Sequence, residues 1–185
     1  MFQLRKDEKL IEKALSGSQS SWVTLVKRYE GLVYNYCLRM TFNGSDAMDL
    51  MQEVFLAIYR NLPAYRGDGQ FKGWMMRIAA NKTTDFLRAR GRNPLHQASD
   101  VFDNDFHSHA SPESDYENYS ENQQIMKLLS QLSDDQRLVV ELKFFQHFTF
   151  EEISQQTGVA ISTIKTRLYK ALQNLKGHLE VQNVM

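Results

Sequence analysis

The sequence predicts an all-α fold: two small helical domains joined by a flexible acidic linker. Three observations carry that expectation. Apolar residues recur at helical spacing along most of the 185 residues. Only 3 Pro and 9 Gly punctuate the chain, too few for a turn-rich β architecture. Charge is also segregated. Residues 1–92 hold 15 Lys+Arg against 9 Asp+Glu, residues 93–124 hold none against 7, and residues 125–185 hold 7 against 6. A formal net charge of zero therefore averages a basic block, an acidic connector and a near-neutral block, three different electrostatic objects. The expected boundaries are 1–92, 93–121 and 122–185.

The basic block reads as four helices. Asp7 to Ser16 places Leu10, Ile11, Ala14 and Leu15 on one face, with Gly17 as a stop. Ser20 or Ser21 caps a second helix carrying Trp22, Leu25, Val26, Tyr29, Leu32, Val33 and Tyr36, which Asn43-Gly44 breaks. Ser45 caps a third, with Ala47, Leu50, Met51, Val54, Phe55 and Ile58 inward and Pro63 beyond its end. Arg66-Gly67-Asp68-Gly69 is a loop. The fourth helix runs from Phe71 to about Arg90, with Phe71, Trp74, Met75, Ile78 and Leu87 as its apolar stripe.

Asn93 to Glu121 carries Pro94 and Pro112, many Ser and Asn, and no Lys or Arg. That composition reads as a solvated tether. Its aromatics Phe102, Phe106 and Tyr116 are either docking anchors or incidental. The last block opens with a helix near Asn122 to Leu132. Ser133-Asp134-Asp135-Gln136 and Thr149-Phe150-Glu151-Glu152 are capping-box patterns that start two more. Gly158 breaks the second of these, and Ser162 caps a last helix to about Lys176.

Capped helices separated by a turn containing Gly158 match helix-turn-helix spacing over Phe150 to Lys176. Ile164, Leu168, Ala171, Leu172 and Leu175 centre on the buried side of the last helix. Thr163, Thr166 and Lys170 fall opposite, with Tyr169 beside them and Lys165 and Arg167 on the shoulders. No acid occurs from Ser162 to Lys176. Short polar groups and a long cation suit base edges, and flanking cations suit phosphates. A helical hairpin with a solvated basic face is the blander reading.

The fourth helix interleaves Lys72, Arg77, Lys82, Arg88 and Arg90 with Phe71, Trp74 and Phe86, after Tyr65 in the loop. Cations for the backbone and rings for stacking are what an unpaired strand requires. Asn81, one turn beyond Arg77, offers an amide to an extruded base edge. The competing reading makes these rings core. The third helix presents Asp46, Asp49, Gln52, Glu53 and Tyr59, a face for water or for a protein, and unsuited to DNA.

Other classes fit less well. His96, His107 and His109 lie in the tether, Cys37 in an apolar helix, and the Arg66 loop lacks the Lys-Ser/Thr end of a phosphate-binding loop. No catalytic site, metal, cofactor or small-molecule substrate is expected. No run approaches the ~20 apolar residues of a membrane span, and Met1 to Glu8 lacks a signal-peptide core. With 1 Cys no internal disulfide forms, which points to a reducing, cytoplasmic setting.

Asp49 to Arg60, Tyr65 to Asp68, Phe71 to Trp74, Arg77 to Asn81 and Asp85 to Arg88 resemble region two of extracytoplasmic-function (ECF) sigma factors of bacterial RNA polymerase. Leu132 to Arg137 and Phe150 to Arg167 resemble region four. The resemblance implies a transcription initiation factor of two helical domains, with roles at matching positions. Asp49, Gln52, Glu53 and Phe55 would dock on the clamp helices of the largest polymerase subunit. Tyr65 and the Arg66-Gly67-Asp68 loop, with Asn81, would take the flipped minus-ten base, and Trp74, Arg77 and Lys82 would support the opened strand. Thr163, Lys165, Thr166, Tyr169 and Lys170 would read the minus-thirty-five duplex, with Arg167 on phosphate. It further implies contact with the flap of the second-largest subunit and an anti-sigma factor, commonly membrane-anchored, that would hold this cytoplasmic protein at the inner membrane. Lys165 and Lys170 stand where many relatives carry Arg, and lysine lacks the bidentate fork. A stand-alone helix-turn-helix regulator is the rival, but it leaves the third and fourth helices idle.

Overall fold

Short polar residues and glycines set several of the helix ends, among them Gly17, Ser18, Ser133, Thr149 and Gly158. The computed structural model describes the backbone of residues 2–67, 70–91 and 115–182, and side chains over 7–67, 70–91 and 122–177. Every regular element there is helical: α1 (Phe2–Leu15), α2 (Gln19–Thr41), α3 (Gly44–Asn61), α4 (Phe71–Gly91), α5 (Asp115–Ser130), α6 (Asp134–Val140), α7 (Phe150–Thr157) and α8 (Ile161–Gln182). A 3-10 turn, Leu62–Ala64, follows α3, and a π-helical segment, Glu141–Phe145, extends α6. The described residues form two compact units. One comprises the described residues of 1–38 and 45–99; the other joins Arg39–Gly44 to the described residues of 100–185.

In the first unit, Gly17 (φ 91) ends α1 as expected. The cap of α2 is Ser18, not Ser20 or Ser21: its hydroxyl accepts from the Ser21 backbone N–H at 3.4 Å. The core gathers Leu25, Val33, Tyr36 and Cys37 from α2, Ala47, Leu50, Val54 and Ile58 from α3, and Phe71, Met75, Met76, Ala79 and Ala80 from α4. The α3 set repeats at three and four residues, the period of one helix face. The α4 stripe differs from expectation. Met76, Ala79, Ala80 and Thr83 are buried, while Trp74, Ile78 and Leu87 are only partly covered. Ala79, Ala80 and Thr83 are small, so hydrophobicity alone does not mark them as core.

In the second unit, Phe42 (φ 57) turns the chain between α2 and α3, where Asn43-Gly44 was expected to break the helix. Within this unit Arg39 donates to both carboxylate oxygens of the fully buried Glu141, at 2.6 and 2.7 Å. The Gln146 amide donates to the same carboxylate at 3.0 Å, and the Arg39 guanidinium lies 4.3 Å over the Phe145 ring. Helix α5 starts at Asp115, inside the expected tether. Phe102 and Phe106, and His96, His107 and His109, lie outside the described residues, as does Asp68.

Both expected capping boxes form. Ser133 accepts from Gln136 N–H and Thr149 from Glu152 N–H, and each glutamine or glutamate side chain returns to its cap's backbone N–H. Gly158 takes the left-handed conformation (φ 70) expected of it. The turn is closed by the Ser154 hydroxyl donating to the Val159 carbonyl at 2.8 Å. Helix α8 begins at Ile161, so Ser162 sits in its first turn and does not cap it. Ile153, Ile164, Leu168 and Ala171 are buried between α6, α7 and α8. Leu172 is 41% exposed, against expectation. Truncating Ile153 or Ile164 to Ala would cost about 2–5 kcal/mol, because a packed core collapses only partly around a cavity. Among the described residues no helix is long and apolar enough to cross a membrane.

Candidate nucleic-acid interface

The first unit carries two surfaces. On α4, four rings from α2, the loop and α4 form one cluster. Tyr29 and Phe71 lie 5.6 Å apart, Tyr65 and Phe71 5.5 Å, Tyr65 and Trp74 5.2 Å, and Phe71 and Trp74 5.7 Å between centroids. Phe71 is buried, whereas Tyr65 and Trp74 are half-buried. The two readings of these rings therefore divide by residue: Phe71 is core, and Tyr65 and Trp74 stand at its edge with ring surface left for a partner. Arg66, Arg77 and Asn81 are exposed and Lys82 is partly so. Cations, an amide and accessible rings thus share this unit, the composition that suits an unstacked base and its phosphates. Arg90 ties the end of α4 to Asp46 at the start of α3, at 3.0 Å.

On α3, Asp49, Gln52 and Glu53 are exposed and Phe55 is half-buried. Gln52 and Phe55 help line a groove of about 770 Å³ with Trp22, Val26, Met51 and Tyr59. Trp22 and Tyr59 meet edge to face, 5.0 Å between centroids. Leu56, also in the groove, is 54% exposed. Tyr59, expected on a polar face, lines this groove, and Leu56 is a groove residue that the expected face did not include. A leucine displayed beside Phe55 and Tyr59 is the signal that this face is mixed apolar and acidic.

In the second unit, Thr163, Lys165, Thr166, Tyr169 and Lys170 are all exposed along α8, and Arg167 is partly covered. Burial of Ile164, Leu168 and Ala171 turns this face outward. The Thr166 hydroxyl donates to the Ser162 carbonyl at 2.9 Å, so it presents its lone pairs outward as an acceptor. Lys165 Nζ lies 5.4 Å from the Phe150 ring centroid, and Lys143 Nζ lies 4.8 Å from the same ring. Arg167 is not a free shoulder: its Nη2 donates to Asp135 Oδ2 of α6 at 2.5 Å. Phe150 and Asp135 are expected from the sequence as helix-start residues within the stretches that resemble region four, with no partner on the last helix. Neither role is visible without the packing of α6 and α7 against α8.

Comparison with known proteins places these elements among relatives. The family model Sigma-70 region 2 matches residues 25–93, and Sigma-70, region 4 matches residues 122–175. The chain is similar to the RNA polymerase sigma-H factor of Pseudomonas aeruginosa, at 27% identity over 187 residues and 97% of each chain. It is similar to the ECF RNA polymerase sigma-E factor of Escherichia coli K12, at 28% over 181 residues and 94% of each. With the ECF RNA polymerase sigma factor SigE of Mycolicibacterium smegmatis it shares 30% over 159 residues, 86% of this chain but 62% of that protein. Among solved structures, CnrH in complex with the cytosolic domain of CnrY has a TM-score of 0.65 at 20% identity, covering 95% of this chain and 98% of that one. The sigma factor RpoE of Bartonella quintana, in complex with the anti-sigma factor NepR, also scores 0.65, at 23% identity and 85% and 96% coverage. At such identities these likenesses speak for the fold.

Proposed function

The chain belongs to the ECF branch of the sigma-70 family, the transcription initiation factors that give RNA polymerase its promoter specificity, and we propose that it does so through three surfaces. Asp49, Gln52, Glu53 and Phe55 dock on the clamp helices of core polymerase. Tyr65, Arg66, Trp74, Arg77, Asn81 and Lys82 hold the melted minus-ten strand. Thr163, Lys165, Thr166, Arg167, Tyr169 and Lys170 read the minus-thirty-five duplex.

One observation supports this reading above the others. The ring-and-cation surface and the face of α8 free of acids from Ser162 to Lys176 lie in separate units of the chain, the first within the Sigma-70 region 2 match and the second within the region 4 match. A stand-alone regulator has use for the second surface only. The domain division at 1–92, 93–121 and 122–185, the flap contact and a cytoplasmic site of action belong to the same proposal. So does an anti-sigma partner, of the kind bound to RpoE in the Bartonella structure.

Run-off transcription with core polymerase on a promoter library tests the proposal. Selective transcripts are expected only when the chain is added. Tight duplex binding by the free chain at physiological salt, unchanged by core enzyme, would overturn it in favour of the regulator.

A further inference from the structure

We infer that Asp135 is a specificity-determining residue of the DNA-reading unit: its carboxylate holds Arg167 and restrains that arginine from pairing with any phosphate it meets. This inference rests on the proposed promoter-reading role of α8. The pair joins Arg167 Nη2 to Asp135 Oδ2 at 2.5 Å, with side chains 28% and 62% exposed. It does not depend on two long side chains finding each other in water. Val139, Leu138, Ile164, Leu168 and Ala171 are buried in the same unit and hold α6 against α8. A second polar contact, from the Asn174 amide to Gln136 Oε1 at 3.5 Å, joins the same two helices.

An exposed ion pair adds little to stability, so fold stabilisation is a weak reason for this one. Its electrostatic effect on a DNA face is larger. Asp135 places a negative charge beside the cation assigned to phosphate, on a helix face otherwise free of acids. Guanidinium carries five N–H donors, and the hydrogen bond to the carboxylate comes from Nη2. A phosphate arriving in the right register can take the remaining donors while Asp135 keeps its own. A phosphate arriving elsewhere meets a cation already half-neutralised and a carboxylate that repels it. The pair therefore weakens sequence-independent binding more than aligned binding.

A simpler role exists for Asp135: it lies in the first turn of α6, where an acid favours the helix dipole. The two roles separate by experiment. The full-length chain, free and assembled with core polymerase, is titrated with duplex containing the best promoter and with duplex of unrelated sequence, over a range of salt. Asp135→Asn is expected to tighten unrelated duplex about fivefold near 0.15 M salt and to steepen the salt slope by about 0.9, one additional released counterion. Promoter affinity should rise less, so discrimination falls. Asp135→Glu should restore it, and Asp135→Asn should have no effect in an Arg167→Ala background.

The inference is overturned if Asp135→Asn leaves DNA affinity unchanged, shifts both duplexes equally, or acts undiminished without Arg167. A loss of thermal stability with unchanged DNA binding would leave only the dipole role. Should the wild-type chain direct no transcription, the functional proposal fails by itself. The free-chain titration of unrelated duplex still decides whether Asp135 restrains Arg167.

Discussion

The Tyr29 hydroxyl donates to the Asp7 carboxylate at 2.5 Å, and it joins α1 to the ring cluster of the first unit. Asp7 is buried and also pairs with Arg28. Tyr29 in turn packs on Phe71, and Phe71 on Tyr65 and Trp74. Burial, and then the hydrogen bond to Asp7, push the Tyr29 phenol well above its usual value. Tyr29→Phe is expected to cost about 1–3 kcal/mol in urea unfolding, because a buried charged acceptor loses a donor. The sign of the pH effect follows from the raised value. The folded state keeps a proton that an unfolded tyrosine releases near pH 10. The stabilisation is complete below that pH and is lost as pH rises toward the folded value. The stability gap between wild type and Tyr29→Phe should shrink under strongly alkaline conditions.

Asn81 is exposed on α4 one turn from Arg77. Asn81→Ala should abolish most promoter opening, read by permanganate reactivity of the minus-ten thymines, while core binding stays intact. Normal opening would remove Asn81 from the strand site.

Glu53 lies exposed next to the groove lined by Gln52 and Phe55. Glu53→Lys should weaken core association at least tenfold in a pull-down titration, about 1.4 kcal/mol. Minor-groove or major-groove contacts of α8 should be untouched, so equal loss of duplex binding would contradict a docking role.

Lys170 projects from α8 with no acid on its face. Lys170→Ala should cost about 1–3 kcal/mol in holoenzyme binding to the best promoter and relax selectivity at one minus-thirty-five position. An unchanged sequence preference in a randomised-promoter selection would place it on phosphate.

Gly158 has φ 70, and no atom lies within 4 Å of where a Cβ would stand. Gly158→Ala should therefore cost only the left-handed backbone penalty, about 1–2 kcal/mol. A much larger loss in thermal unfolding would mean that the turn itself rearranges.

The helix-turn-helix was legible along the chain because its signals are local. Ser133, Thr149 and Gly158 act on backbone groups three or four residues away, and α8 turns Thr163, Thr166 and Lys170 outward by periodicity alone. Phe71 could not be separated from Trp74 in that way, since both have helical spacing and only packing decides which ring is enclosed. The cap of α2 lies two or three positions before the expected serines, because neighbouring serines compete for the same backbone donors, and α8 starts two positions before the first residue that a Ser162 cap implies. By itself, then, the sequence determined the helices, the separation of charge and the outward face of α8, all products of short-range backbone and side-chain chemistry. Tertiary structure alone decided that Asp135 reaches Arg167, 32 residues away, and that Asp7 reaches Tyr29, 22 away. Such contacts depend on how buried faces bring distant helices together, and no local pattern encodes that distance.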